Sequence, residues 1–113
     1  MVIKTGTLIE NAVAKAFNIN KYMYIMDNVL KVNIAEHEEF MTCFDSFYRV
    51  RRNLKWRKLY FKYFEEQKYN KEISFVDIIT YLFKSTGKIE ASFSSKMLAT
   101  INPNMPIWDQ YVL

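Results

Sequence analysis

Residues 33–48, NIAEHEEFMTCFDSFY, carry the clearest helix signal in the chain. Asn33 can accept hydrogen bonds from the first free N–H groups of a helix, and three glutamates follow where the helix dipole favours negative charge. Apolar side chains then recur at helical spacing, at Phe40, Cys43, Phe44, Phe47 and Tyr48. The pattern predicts an amphipathic helix that begins after Asn33 and buries an aromatic face.

Helix starts and stops recur on both sides of this stretch. Upstream, Thr7 and Asn20 can each open a short helix. Downstream, residues 54–70 have a helical pattern, although the sequence leaves open whether the preceding helix ends near Asn53 or continues through it. Ser74 and Asp77 have capping-box spacing, and their helix is expected to end at Gly87 in a left-handed cap.

The C-terminal segment is punctuated by its two prolines. A helix over residues 92–101 must stop at Asn102, because the residue before a proline is pushed out of the helical region. Pro106 suits the first turn of a last helix, which has no stop signal. We therefore expect either a chain truncated at its C-terminus or a tail completed by packing against something else.

Composition agrees with helices. The chain of 113 residues fits one domain, residues 1–113, and 17% of it is aromatic, with only two glycines and two prolines. We predict an all-α fold of six or seven short helices in one compact orthogonal bundle.

The single Cys43 cannot form an internal disulfide, and the sequence shows neither a signal peptide nor an apolar run of bilayer length. These features predict a cytoplasmic protein that does not span a membrane.

The net charge of +4 is concentrated in one segment. Residues 49–62 hold seven basic and no acidic side chains, so the rest of the chain has nine basic and twelve acidic ones. At helical spacing, most of these cations share a narrow sector opposite the aromatic residues. Because cations that neutralise phosphates release condensed counterions, this segment predicts contact with DNA. The candidate nucleic-acid-binding residues are Arg51, Arg52, Lys55, Lys58 and Lys62.

A solvated face is the alternative interpretation of the same pattern. Lys and Arg side chains cover apolar surface with their stems while their charged ends stay in water. Glu65 and Glu66 lie three and four residues from Lys62, within reach of its charge.

Other site chemistries are not expected. The acids around His37 lack the spacing of a helical metal site. Cys43 lies six residues from His37, the only histidine, and this spacing places the two side chains on different helix faces. A Cys–His catalytic pair is therefore not expected. With no phosphate loop and no dinucleotide fingerprint, neither a metal nor a small-molecule cofactor is predicted.

The last third of the chain resembles a known group. SSKMLATINPNMPIWDQYV, residues 94–112, is similar to a signature of uncharacterised helical bacterial and phage proteins: a Ser-Lys-x-Leu helix, then Asn-Pro, then Pro-Ile-Trp-Asp. FYRVRRN, residues 47–53, resembles an upstream part of that group. The resemblance covers roughly residues 40 to 113 and implies a fold more than an activity.

The same signature is distantly similar to helix-hairpin-helix DNA glycosylases. That resemblance implies a helix-hairpin-helix-like C-terminal part, with Lys96 matching the Schiff-base lysine and Asp109 the catalytic aspartate. The glycine-rich turn of those enzymes is replaced by EASFSS, and the spacing between the two residues is shorter. A chain of this length also leaves little room for a base-flipping pocket.

Three functions follow as hypotheses, of which the sequence favours a non-catalytic one. The first is a nucleic-acid-contacting module that uses the basic helix face. The second is a glycosylase-like enzyme that uses Lys96 and Asp109. The third is an interaction module that forms a homo-oligomer through its many aromatic residues.

Overall fold

The computed structural model describes residue 16 and residues 18–104. Within that part the chain is all-helical, as predicted, with five helices: α1 (helical at residue 16 and over residues 18–28), α2 (Glu38–Tyr48), α3 (Leu54–Gln67), α4 (Phe75–Thr86) and α5 (Ala91–Ile101). The expected helix starts at Thr7 and Pro106 lie outside the described residues. The count of six or seven helices and the helix-hairpin-helix-like part therefore stay predictions.

Helix α2 begins later than expected, because its N-cap is His37 and not Asn33. The His37 Nδ1 atom accepts a hydrogen bond from the Phe40 N–H at 3.1 Å. The segment before it forms a separate turn, held by a tertiary contact. There the Ile34 N–H donates to the Glu65 carboxylate of α3 at 2.7 Å, and the Ile34 side chain is fully buried.

The helical conformation is interrupted between α2 and α3. Arg49 ends α2 in the left-handed region, at φ 57° and ψ 46°. Asn53 then caps α3, accepting a hydrogen bond from the Trp56 N–H at 2.8 Å. Arg51 therefore lies in the connector before α3, which corrects the expectation that it shares one helix with Lys55. The expected start at Asn20 is also wrong, because residues 18–20 are already helical.

The boundaries of α4 and α5 confirm the local predictions. Ser74 and Asp77 form a reciprocal capping box, with hydrogen bonds of 3.0 and 3.1 Å. Gly87 adopts φ 76° and closes α4 by donating its N–H to the Phe83 carbonyl. At the end of α5, Asn102 is extended at φ −130°, as its position before a proline requires.

All five helices contribute to one aromatic-rich core. The Phe44 ring lies at its centre, 4.7–6.3 Å from the ring centroids of Phe40, Tyr48, Tyr60, Phe61 and Phe64. Residues 94–101 of α5 are all buried, so that helix forms part of the interior. The Tyr60 hydroxyl donates to the Phe93 carbonyl at 2.6 Å, and complete burial raises the pKa of Tyr60 well above its usual value. The inner face of α3 is thus fixed by packing.

Candidate nucleic-acid interface

The outer face of α3 is cationic. Lys55, Lys58 and Lys62 are exposed, whereas the opposite side of the helix buries its aromatic rings. At 1.5 Å per residue, these lysines extend over about 10 Å of the helix. Arg51, exposed in the preceding connector, adds a fourth cation. We name these four residues, Arg51, Lys55, Lys58 and Lys62, the basic ridge.

The basic ridge has no anionic partner within residues 18–104. Every ion pair there lies elsewhere: Arg52 with Glu90, Arg57 with Asp45, and Lys68 with Glu65. Glu65 was expected to reduce the field of Lys62, but its carboxylate bonds Lys68 at 2.7 Å and the Ile34 N–H at 2.7 Å. Of the two nearby acids, only the exposed Glu66 stays available to the ridge.

Arg52 occupies a different environment from the rest of the predicted binding set. Its guanidinium bonds the Glu90 carboxylate at 2.9 Å and lies 5.2 and 5.1 Å from the ring centroids of Trp56 and Phe93. Glu90 is buried at the start of α5. The structure therefore places Arg52 in an internal ion pair, and its charge is largely compensated. Glu90 is 38 positions away along the chain, so no local pattern indicates this partner.

Arg57 is also neutralised, by Asp45 of α2 at 2.6 Å. Burial raises the pKa of Asp45, and the nearby Arg57 charge and hydrogen bond only partly offset that effect. Arg49, Arg51 and Asp45 help to line an open depression beside the C-terminal part of α2 and the connector to α3, together with Thr42, Ser46 and Val50. Arg49 and Arg51 in this depression place two more exposed cations next to the lysines of α3.

The structure buries Lys96 and does not describe Asp109. Lys96 is 8% exposed, and its Nζ donates to the Tyr48 carbonyl at 3.1 Å and lies 4.9 Å from the Phe93 ring centroid. A Schiff-base lysine must reach a sugar carbon, and this amine is directed into the protein. Asp109 lies outside the described residues, so its proximity to Lys96 stays a prediction.

The remaining candidate chemistries find no site in the described segment. No three His, Cys, Asp or Glu side chains are grouped there as metal ligands, and His37 is occupied as a helix cap. Cys43 is half-buried; its Sγ donates to the Lys21 carbonyl at 3.6 Å, and burial raises the pKa of its thiol. None of the helices over residues 18–104 is long and apolar enough to cross a membrane.

Comparison with known proteins gives no relative from which a role could be transferred. No protein-family model, curated protein or solved structure matches this chain. The resemblance to helix-hairpin-helix proteins therefore stays a prediction.

Proposed function

We propose that this protein is a non-catalytic module that binds the phosphate backbone of nucleic acid through the basic ridge. The observation that carries the proposal is the contrast within residues 49–62. Arg52 and Arg57 are paired with acids, whereas the four ridge cations are exposed and have no ion-pair partner in the described part of the chain. The four ridge cations are therefore not used in ion pairs within the described residues, and they stay available to an external anion.

The rigidity of α3 favours this role. Trp56 and Tyr60 stack with ring centroids 4.7 Å apart, and Trp56 also packs on Phe93 of α5 at 5.0 Å. A helix held this way presents its lysines at fixed spacing. Because the backbone of α3 is already ordered, contact with neighbouring phosphates costs conformational entropy only in the lysine side chains.

The expected contacts are electrostatic and independent of base sequence. Lys and Arg bonds to phosphate oxygens position a protein on nucleic acid but do not read bases. We therefore expect similar affinity for DNA duplexes of different sequence. Discrimination among base sequences would require contacts beyond the basic ridge.

The test compares two double charge reversals of equal net charge. Lys55→Glu with Lys58→Glu changes the basic ridge, and Lys31→Glu with Lys88→Glu changes two exposed lysines elsewhere. Binding to a fluorescent DNA duplex is measured by anisotropy at about 50 mM salt. We expect the ridge variant to lose binding at least about tenfold more than the control, because local contacts exceed the screened effect of total charge.

Two outcomes would remove the proposal. One is undetectable binding of the unchanged protein at low salt. The other is an equal loss in both variants, which would show that net charge alone attracts the DNA. Circular dichroism of each variant establishes that the fold is retained.

The cellular setting is part of the same proposal. A single thiol without a disulfide partner fits a reducing compartment, and we place the protein in the cytoplasm on that basis. Immunoblotting of the protein in the soluble cytoplasmic fraction of its cells tests this assignment, and recovery in the secreted fraction would contradict it.

A further inference from the structure

Helix α4 has a second apolar face that points to solvent. Ile78 and Leu82 are fully buried, whereas Val76 and Phe83 are 66% and 48% exposed. At 100° per residue, Val76 and Phe83 share a sector of about 100° with the half-buried Ile79 and the exposed Thr80. We name these residues, Val76, Ile79, Thr80 and Phe83, the α4 stripe. Two large apolar side chains exposed on one helix face, with Ile79 between them, are the kind of surface feature found at interaction sites.

One acidic and one basic side chain lie beside the α4 stripe, so two copies of this surface can be complementary in charge. Asp77 and Lys84 lie on the same flank of the stripe, about 20° apart and two turns apart along the axis. Both side chains are exposed, and neither has an ion-pair partner in the described residues. The acidic end and the basic end of one helix therefore match the opposite ends of an antiparallel copy.

We infer that the α4 stripe pairs two copies of this chain antiparallel around a two-fold axis near Thr80. In that arrangement Asp77 of each copy lies across from Lys84 of the other, so one favourable contact occurs twice. Phe83 of each copy packs against Val76 and Ile79 of the second. The pairing uses α4 and not the basic ridge, so it does not depend on nucleic-acid binding.

The small area of one helix face limits the affinity of this dimer. It buries less than the roughly 1,600 Å² of a standard stable interface, so the dimer is weak and depends on concentration. Sedimentation velocity between about 10 µM and 1 mM covers the relevant range. We expect the sedimentation coefficient to rise with concentration toward the value of a dimer.

Phe83→Ser tests the α4 stripe, and Met23→Ser on α1 is its matched control, since Met23 is 54% exposed. We expect Phe83→Ser to raise the dissociation constant at least about tenfold, and Met23→Ser to leave it unchanged. Lys84→Glu sets two like-charge contacts across the axis and should weaken the dimer about threefold or more. A chain that stays monomeric throughout, or one whose association is lost with Met23→Ser only, would overturn the proposal.

Crosslinking tests the register without relying on the stability of the Phe83 variant. In a Cys43→Ala background, Thr80→Cys places a thiol near the axis, and Ser85→Cys places one on an exposed position away from the stripe. A short bismaleimide reagent should join two copies through position 80 and not through position 85. Equal crosslinking at both positions, or crosslinking at position 85 only, would contradict the antiparallel pairing.

Discussion

Replacing Arg52 with alanine should lower the free energy of unfolding, because Arg52 forms an ion pair with the buried Glu90. Its guanidinium bonds Glu90 at 2.9 Å and lies beside the rings of Trp56 and Phe93. The Glu90 side chain is only 3% exposed, so the substitution leaves a buried carboxylate without this partner. A buried charge that loses its partner is destabilising.

The size of the effect follows from these contacts. A hydrogen bond between charged groups contributes about 1.5–3 kcal/mol. The two ring contacts add about 0.5 kcal/mol each at a partly exposed site. The sum is about 2.5–4 kcal/mol, and since the Arg52 side chain is 30% exposed, we expect a loss near the lower limit, about 2.5–3 kcal/mol. That is a large fraction of the roughly 5–15 kcal/mol that stabilise a domain.

Urea denaturation followed by circular dichroism measures this loss. A cycle of Arg52→Ala, Glu90→Gln and the double variant should give a coupling energy of about 1 kcal/mol or more. Arg51→Ala is the control, because the exposed neighbour should stay within about 0.5 kcal/mol of the unchanged protein. A loss below about 0.5 kcal/mol for Arg52→Ala, or an equal loss for Arg51→Ala, would refute the reasoning.

Three further substitutions test the fold. Phe44→Ala should cost about 3–5 kcal/mol in urea denaturation, because its ring contacts five others at the centre of the core; a loss near 1 kcal/mol would mean that the core repacks easily. Arg49→Gly should stabilise by about 0.5–1 kcal/mol, because glycine adopts the left-handed φ of 57° without a Cβ clash; a lowered melting temperature would contradict this. Hydrogen bonds from the Ser74 backbone and side chain lower the pKa of Asp77 below its usual 3.8. The ionised Asp77 therefore stabilises the folded state above about pH 3.8, and this contribution is lost as the pH falls through the pKa of the folded protein. Asp77→Asn should remove this part of the acid sensitivity in denaturation curves, and an unchanged pH dependence would count against it.

Local signals in the sequence predicted the elements that depend on local chemistry. The capping box of Ser74 and Asp77, the left-handed Gly87 and the stop at Asn102 each rest on interactions within a few residues, and the structure has all three. The exposure of Lys55, Lys58 and Lys62 is also local in origin, since helical spacing places them opposite the buried aromatic face.

Contacts between distant segments could not be read from the sequence. Asn33 has the chemistry of a cap, but the bond from Ile34 to Glu65 holds its turn outside α2. The same hydrogen bond, together with the ion pair to Lys68, occupies the Glu65 carboxylate, which forms no ion pair with Lys62. Arg52 has the same charge as its neighbours, and only its approach to Glu90, 38 residues away, separates it from them. These outcomes depend on tertiary packing, which local patterns do not encode.

The salt dependence of DNA binding tests the central claim most directly. With three to five phosphate contacts from the basic ridge and Arg49, the logarithm of the binding constant should fall against the logarithm of salt with a slope of roughly −2.7 to −4.5. Lys55→Glu with Lys58→Glu should reduce that slope by about 1.8, because two phosphate contacts are lost. A slope near zero for the unchanged protein, or an unchanged slope in the ridge variant, would contradict binding through the basic ridge.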